Sequence, residues 1–457
     1  MKRHLKLFTL LILAVFVVSA GFGCQGMTCK KGVEYRPVYL EYWGVWDTAA
    51  QVAPLINTYQ AKHPTIKITY RNFRYEEYEQ KLLEAWADDR GPDLFAIPVT
   101  WLKEYQHRLV PIPPSINVPI WEMKGSIKPE RTLTLKSFKS LSPQDVKTRY
   151  VPVVYDDVVL DDKIYGLPFS LETLVTFYNS SLLDKSSIPE PMRDFHDLIE
   201  QVPKITRVTE DNRVLYSAVS LGGTDNIPRF FDILSSLLLQ SDVNMKGEWF
   251  SPIKDGGSRD RLTQVLNFYT DFARPGRLSY SWSDDLPNAF EMFANGRLAY
   301  FFGYSYHADE LRDRGVVFDW GITNFPQTRG AEGTKYYTDY WITVVAKKSI
   351  NAPSAWDFIQ NASGKEIVRV YLNANKKPTA LRSLIAEQME DTDLKVFASQ
   401  VLTADNWYEG YNIDLAEQYT AEIIDGLVSG EYTFDLAGTP LKLFVERINK
   451  TYTKTNE

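Results

Sequence analysis

Two short stretches carry residues whose types and spacing suit recognition of a small ligand. Trp43-Gly44-Val45-Trp46-Asp47 sets two tryptophans beside a carboxylate, and Val99-Thr100-Trp101 sets a third beside a hydroxyl. A tryptophan presents a flat, apolar ring face, a natural partner for the C–H face of a sugar. Asp47 and Thr100 can bond hydroxyls next to such faces. The competing reading makes Trp43 and Trp46 core residues, and from sequence both readings stand open.

Catalysis finds less support. A glycoside hydrolase needs two carboxyls about 5 to 10 Å apart in different environments. The adjacent acids Asp156-Asp157, Asp161-Asp162 and Asp284-Asp285 read instead as solvated turn charges. Gly303-Tyr304-Ser305-Tyr306-His307 begins like a nucleophile elbow but lacks its second glycine. The five histidines (His4, His63, His107, His196, His307) are scattered, with no metal-ligand spacing, and no phosphate-binding loop is present. No cofactor and no metal are expected, and a binding protein is favoured over an enzyme.

The elements that would position these residues are readable between Tyr39 and Tyr105. Val38 to Trp43 is rich in strand formers and ends at Gly44. Thr48 is a plausible N-cap for a helix with Val52, Leu55, Ile56 and Tyr59 on one face, stopped at His63-Pro64. Ile66 to Phe73 alternates as a strand does, and Tyr75 to Asp89 returns to helical spacing through Tyr78, Leu82, Leu83 and Trp86. Gly91-Pro92-Asp93 then turns the chain into a short buried strand, Leu94 to Ile97. This β-α-β-α-β order predicts a doubly wound parallel sheet. Ligands bind beyond the carboxyl ends of such strands, where Trp43–Asp47, Arg74-Tyr75 and Val99–Trp101 fall.

The N-terminus bears on the compartment. Lys2, Arg3 and Lys6 precede an apolar run from Leu7 to Ala20, the pattern of a secretory signal peptide. The run is shorter than the roughly 20 residues of a membrane span. Cys24 follows a small residue and resembles the acylated cysteine of a bacterial lipobox, although Gly21 stands where leucine is usual. Cys29 is the other cysteine, so the body beyond it has no disulfide and no thiolate site. Net charge is −7, and −10 once the three basic residues of the signal are removed, which argues against nucleic acid as a partner. Some 430 mature residues exceed what one core usually organises, so two lobes are expected.

The ordered set of motifs resembles the extracellular solute-binding proteins of family 1, the maltose-binding-like receptors of ABC transporters. WGVWD after the first strand resembles that family, as do HPTIKITY and EEYEQKLLEAWADDRGPDLFAI after it. Ile164 to Thr173, running on to Asn179, resembles the segment that first crosses between lobes. Ala289 to Tyr306 resembles the helix, turn and strand that bring an aromatic into the cleft. Tyr340 to Val345 resembles the returning hinge strand, and Ala355 to Ile359 the helix after it.

The resemblance implies a two-lobe, periplasmic-binding-protein-like (type II) α/β fold with a hinge and a central ligand cleft. It implies a signal peptide at 1–23 and a tether at 24–37, then a first lobe of 38–170 with 345–397 and a second of 171–344 with 398–457. Trp43, Trp46, Asp47, Thr100 and Trp101 would contact ligand from the first lobe, with Glu172 at the hinge. Tyr304 and Tyr306 would face the cleft from the second lobe, Trp341 from beside the returning strand and Trp407 from the C-terminal region. Tyr59, Trp86, Trp121, Trp249, Trp320 and Trp356 read as packing. The implied function is capture of a sugar or oligosaccharide by an exported, lipid-anchored monomer that delivers it to an ABC permease. An orphan receptor or adhesin of the same fold, or an exported glycoside hydrolase, are the alternatives. The proline-bearing stretch 111–150 reads as a surface loop, either a docking element or a plain insertion.

Overall fold

The residues of the first strand explain its place. In β1 (Val38–Gly44) the apolar Leu40, Tyr42 and Trp43 are buried while Tyr39 stays exposed. The chain then enters α1 (Ala49–Lys62), capped by Thr48, whose Oγ1 accepts from the Gln51 amide at 3.4 Å while Gln51 Oε1 accepts from the Thr48 amide at 2.9 Å. This reciprocal pair satisfies amides that the first helical turn leaves without partners. The expected face of Val52, Leu55, Ile56 and Tyr59 is the buried one, and the helix stops before His63. β2 (Ile66–Asn72), α2 (Tyr75–Ala87) and β3 (Leu94–Pro98) follow in the expected order. On α2 the buried residues are Tyr78, Leu82 and Trp86, whereas Leu83 is 44% exposed: it lies one position past the buried stripe and points to solvent.

The computed structural model describes residues 37–125, 130–243, 256–331, 333–433 and 439–454. The signal segment, Cys24 and the tether up to residue 36 lie outside the described residues, as does Trp249. From Val38 onward the chain forms one compact unit.

Stretch 111–150 is not a loop at its centre. β4 (Ser115–Lys124) and β5 (Glu130–Lys139) pair antiparallel from Ser115↔Lys139 to Lys124↔Glu130. Ile116 and Val118 are buried, and Met123 and Leu135 are exposed. Trp121 lies within β4, but its side chain is outside the described part.

Beyond this hairpin run β6 (Gly166–Pro168), β7 (Glu172–Thr173) and β8 (Val175–Asn179). Then come β9 (Arg207–Val208), β10 (Val214–Val219), α3 (Phe230–Gln240), β11 (Leu298–Gly303), α4 (Ser305–Arg314) and β12 (Trp320–Asn324). Last are β13 (Tyr336–Asp339), β14 (Trp341–Val345), α5 (Ala352–Ala362), α6 (Lys365–Asn375), β15 (Ala404–Asp405) and α7 (Ile413–Ser429).

Two five-stranded sheets result, β2-β1-β3-β14-β6 and β9-β10-β11-β8-β12, with a small third sheet β15-β13-β7. In the first sheet β1 is parallel to β2 and β3, as the β-α-β units require, while β14 runs antiparallel to both β3 and β6. The chain passes from β6 of the first sheet through β7 of the small sheet into β8 of the second. It returns through β13 of the small sheet into β14 of the first. Trp341 pairs with Pro98 in the first sheet, so the return is complete at Tyr340, ahead of the expected boundary between 344 and 345. Gly296, at φ +70° in the turn before β11, takes a left-handed conformation that favours glycine.

Candidate functional site

β1, β3 and β14 end on one side of the first sheet, and the segments that follow or precede them line a cavity of about 660 Å³. Elements of the second sheet and α7 line it too. Trp46, Asp47, Thr100, Trp101, Glu172, Tyr304, Tyr306 and Trp341, eight of the residues singled out from sequence, all border this space.

The wall from the first sheet is aromatic. Gly44 ends β1 where a Cβ would lie 2.3 Å from the Tyr70 hydroxyl, so only glycine lets that phenol approach. The Tyr70 hydroxyl donates to the Asp47 carbonyl at 2.8 Å and fixes the turn that carries Trp46. Trp46 is 59% exposed and stacks on Tyr75, with ring centroids 5.5 Å apart and 19° between planes. Trp341 stands edge-on to both rings, at 6.1 and 6.2 Å. Trp101 is buried behind it, its centroid 6.4 Å from that of Trp341. Trp101 therefore supports the wall more than it presents a face. The Asp47 carboxylate is occupied: it accepts from the Tyr371 hydroxyl and from Lys377 Nζ, each at 2.6 Å.

The wall from the second sheet is built around a guanidinium. Arg229 lies 3.2 Å from Asp232 and 3.5 Å from Asp339, and donates to the Tyr306 hydroxyl at 2.6 Å. It also covers the rings of Tyr304 and Tyr306, at 4.7 and 5.9 Å from their centroids. Tyr304 is fully buried and donates its hydroxyl to Asp232 at 2.9 Å, whereas Tyr306 is 40% exposed. Glu172, in the small sheet, accepts from the Ser305 amide at 3.0 Å and from its hydroxyl at 2.6 Å. That pair of bonds ties the crossing strand β7 to the start of α4. His307 donates nothing to this network through Nδ1, which accepts from the Tyr304 amide at 3.0 Å.

Burial governs the charge states. It pushes the Asp232 carboxyl up to about 6 despite Arg229 beside it, and it raises Glu172 and Asp339 as well. Burial, then the nearby Asp232, Asp414 and Asp339, push Glu417 up to about 8. Burial and the neighbouring Arg229 hold the His307 imidazole down to about 3, so it stays neutral.

Two residues expected at the ligand lie outside the lining. Trp43 is buried on Phe73, centroids 4.6 Å apart, with its indole N–H donated to Glu41 at 2.8 Å. Trp407 is buried against Phe231, and its indole donates to the Ser235 hydroxyl at 2.9 Å. Each is a core tryptophan with its polar edge satisfied. Asp157 is also placed differently from a solvated turn charge. It accepts from the Tyr340 hydroxyl at 2.5 Å and from Asn406 at 2.7 Å, beside the return crossing. Among the expected packing residues, Tyr59, Trp86 and Trp356 are buried and Trp320 is half-buried.

Tyr75, Arg229, Asp232, Asp339, Lys377 and Glu417 were not picked as contacts from sequence. Tyr75 carried a signal, because it directly follows β2 at a carboxyl end. Arg229, Asp232 and Glu417 carry none, since they come from helices, or in the case of Arg229 from the residue just before one, whose position over the cavity is set by tertiary packing. Among the described residues no cluster of His, Cys, Asp and Glu has the geometry to hold a metal ion.

This fold and cavity are those of a two-sheet ligand receptor. Residues 54–393 match the family model of the bacterial extracellular solute-binding proteins, and the chain belongs to that family. An extracellular-binding protein of an ABC transporter from Pyrococcus horikoshii is 25% identical over 209 residues, 43% of each chain. The galactooligosaccharide-binding protein of Bacillus subtilis is 21% identical over 242 residues, 52% of each chain. The aligned stretches thus span about half the length of these relatives. Among solved structures, the sugar-binding protein MalE of Xanthomonas citri matches with TM-score 0.69 at 18% identity, covering 91% of this chain and 97% of its own. A cyclo/maltodextrin-binding protein complexed with maltotetraose matches with TM-score 0.70 at 14% identity, covering 93% of this chain and 100% of its own. These likenesses show the periplasmic-binding-protein-like α/β fold. No helix among the described residues is long and apolar enough to cross a membrane.

Glu417 titrates near 4.5 in an unfolded chain and near 8 here, so its burial costs stability as pH rises between those values. Glu417→Gln is expected to stabilise the empty protein at pH 8 by up to about 4 kcal/mol and to have almost no effect at pH 4. Thermal unfolding of both proteins across that range checks the sign.

Proposed function

We propose that this chain is the extracytoplasmic receptor of an ABC importer, taking up a sugar or oligosaccharide and delivering it to the permease. The observation that carries this reading is the aromatic wall of exposed Trp46 and Tyr75 and half-buried Trp341, facing a polar wall across about 660 Å³. Stacked apolar faces with a few hydrogen-bonding groups opposite are what a pyranose needs. The ligands of several similar proteins, a galactooligosaccharide and maltotetraose among them, point the same way.

The two five-stranded sheets would serve as the two lobes, and β6–β7 and β13–β14 as hinge strands between them. Ligand that contacts both walls favours the closed arrangement only by its preference for that state. The carboxylates of the cavity serve binding rather than hydrolysis in this reading. Glu172 is engaged by Ser305, Asp47 by Lys377, and Asp232 with Asp339 by Arg229. The N-terminal signal and Cys24 would anchor the exported monomer to a membrane through lipid.

A thermal-shift panel of oligosaccharides tests the reading. Ligand at 100 times its dissociation constant stabilises by about 2.7 kcal/mol, a clear shift. Recovery of the ligand intact supports a receptor, and recovery of cleaved sugar overturns it in favour of a hydrolase. Trp46→Ala and Trp341→Ala are each expected to weaken binding by about tenfold while barely changing the melting temperature of the empty protein. Trp101→Ala should instead lower that melting temperature, because its ring is buried. Cys24→Ala should release the protein from membranes, and membrane retention of this variant would refute the anchor.

A further inference from the structure

The two walls of the cavity are unequal in charge. Eight carboxylate side chains line it against two cations, Arg229 and Lys377. Both cations are already committed, Arg229 to Asp232 and Asp339 and Lys377 to Asp47. The acids left over are Glu310 on α4 and, near the start of α7, Asp414 and Glu417. Asp414 and Glu417 are three residues apart, hence on one helical face, and both line the cavity. Neither makes a hydrogen bond or an ion pair with a described residue of the protein. Asp414 is exposed to the cavity, whereas Glu417 is mostly buried, and a mostly buried carboxylate with no partner is costly unless it is protonated or meets a cation.

What faces these acids is the aromatic wall. Asp414, Glu417 and Asp339 are near enough to Tyr75 to add to the effect of burial in raising its phenol. Tyr75 is the ring on which Trp46 stacks and against whose edge Trp341 stands. Ring faces attract a cation through their negative π clouds. The tyrosines opposite show this in place, since Arg229 covers Tyr304 and Tyr306. Among the described residues no Lys or Arg lies over Trp46, Tyr75 or Trp341. Three aromatic rings without a cation therefore face two carboxylates without a cation, inside one cavity.

We propose that the ligand of this cleft carries a protonated amine, held between the Trp46–Tyr75–Trp341 rings and the carboxylates of Asp414 and Glu417. The proposal rests on the reading of the cavity as a solute-capture site and names the chemical class it takes. For a carbohydrate ligand this means an amino sugar whose ring stacks on the wall while its ammonium meets the acids.

Titration calorimetry with the purified protein tests it, using the trisaccharide of glucosamine, its N-acetylated counterpart, spermidine and choline. The amine trisaccharide is expected to bind at least about tenfold more tightly than the neutral one. Asp414→Asn combined with Glu417→Gln should abolish that preference while leaving the melting temperature of the empty protein equal or higher. Equal or tighter binding of the neutral trisaccharide, unchanged by the double substitution, overturns the amine proposal and leaves solute capture standing. Binding of spermidine or choline without either trisaccharide supports the amine and overturns the carbohydrate. Silence from all four probes in a folded protein overturns both.

Discussion

Arg229 is the centre on which the second wall of the cavity depends. One guanidinium reaches Asp232 on α3, Asp339 at the end of β13 and Tyr306 on α4, and it covers two tyrosine rings. Those three elements belong to different parts of the chain, so the charge fixes their mutual position. Asp232 is buried and accepts from Tyr304 as well, which leaves it fully satisfied only while Arg229 is present. Removing one partner of a buried ion pair typically costs about 3 to 5 kcal/mol, because the other charge stays behind uncompensated.

The crossings between the sheets use neutral and charge-assisted hydrogen bonds of the same kind. Glu172 on β7 holds both the amide and the hydroxyl of Ser305, and Tyr340, the residue between β13 and β14, holds Asp157. Each bond joins a crossing segment to a neighbouring helix. Motion between the sheets must therefore turn about these fixed points or break them. The aromatic wall has no such tie. Trp46 protrudes from a turn anchored beneath it by Tyr70, Tyr371 and Lys377, so its ring is positioned while its face stays open.

The first half of the first sheet was legible because local signals and tertiary packing agree there. The Thr48 cap, the buried face of α1 and the order of β1 to β3 follow from spacing alone. The strand-end rule then placed Trp46, Asp47, Thr100 and Trp101 together, while the motif resemblance added Glu172, Tyr304, Tyr306 and Trp341. It failed for Trp43, since successive strand residues point to opposite faces and only one face of β1 leads to the cavity. Trp407 failed for a different reason: no rule of spacing distinguishes an indole that closes a cleft from one bonded to a buried serine. Arg229, Asp232 and Glu417 were invisible because helix placement over a sheet is a long-range outcome, unreadable from local pattern. The hairpin of β4 and β5 was hidden by the prolines of this stretch, of which Pro119 alone lies within a strand, in a two-stranded ladder where each strand keeps a free edge.

Backbone hydrogen exchange with and without a saturating oligosaccharide tests the central claim most directly, that solute is captured between the aromatic wall and the Arg229 wall. The account predicts slowed exchange at Val45–Asp47, at Tyr304–Tyr306, at Asp339–Trp341 and at Ile413–Glu417, drawn from both walls of one cavity. Protection confined to one wall, or appearing at the β4–β5 hairpin instead, would contradict it.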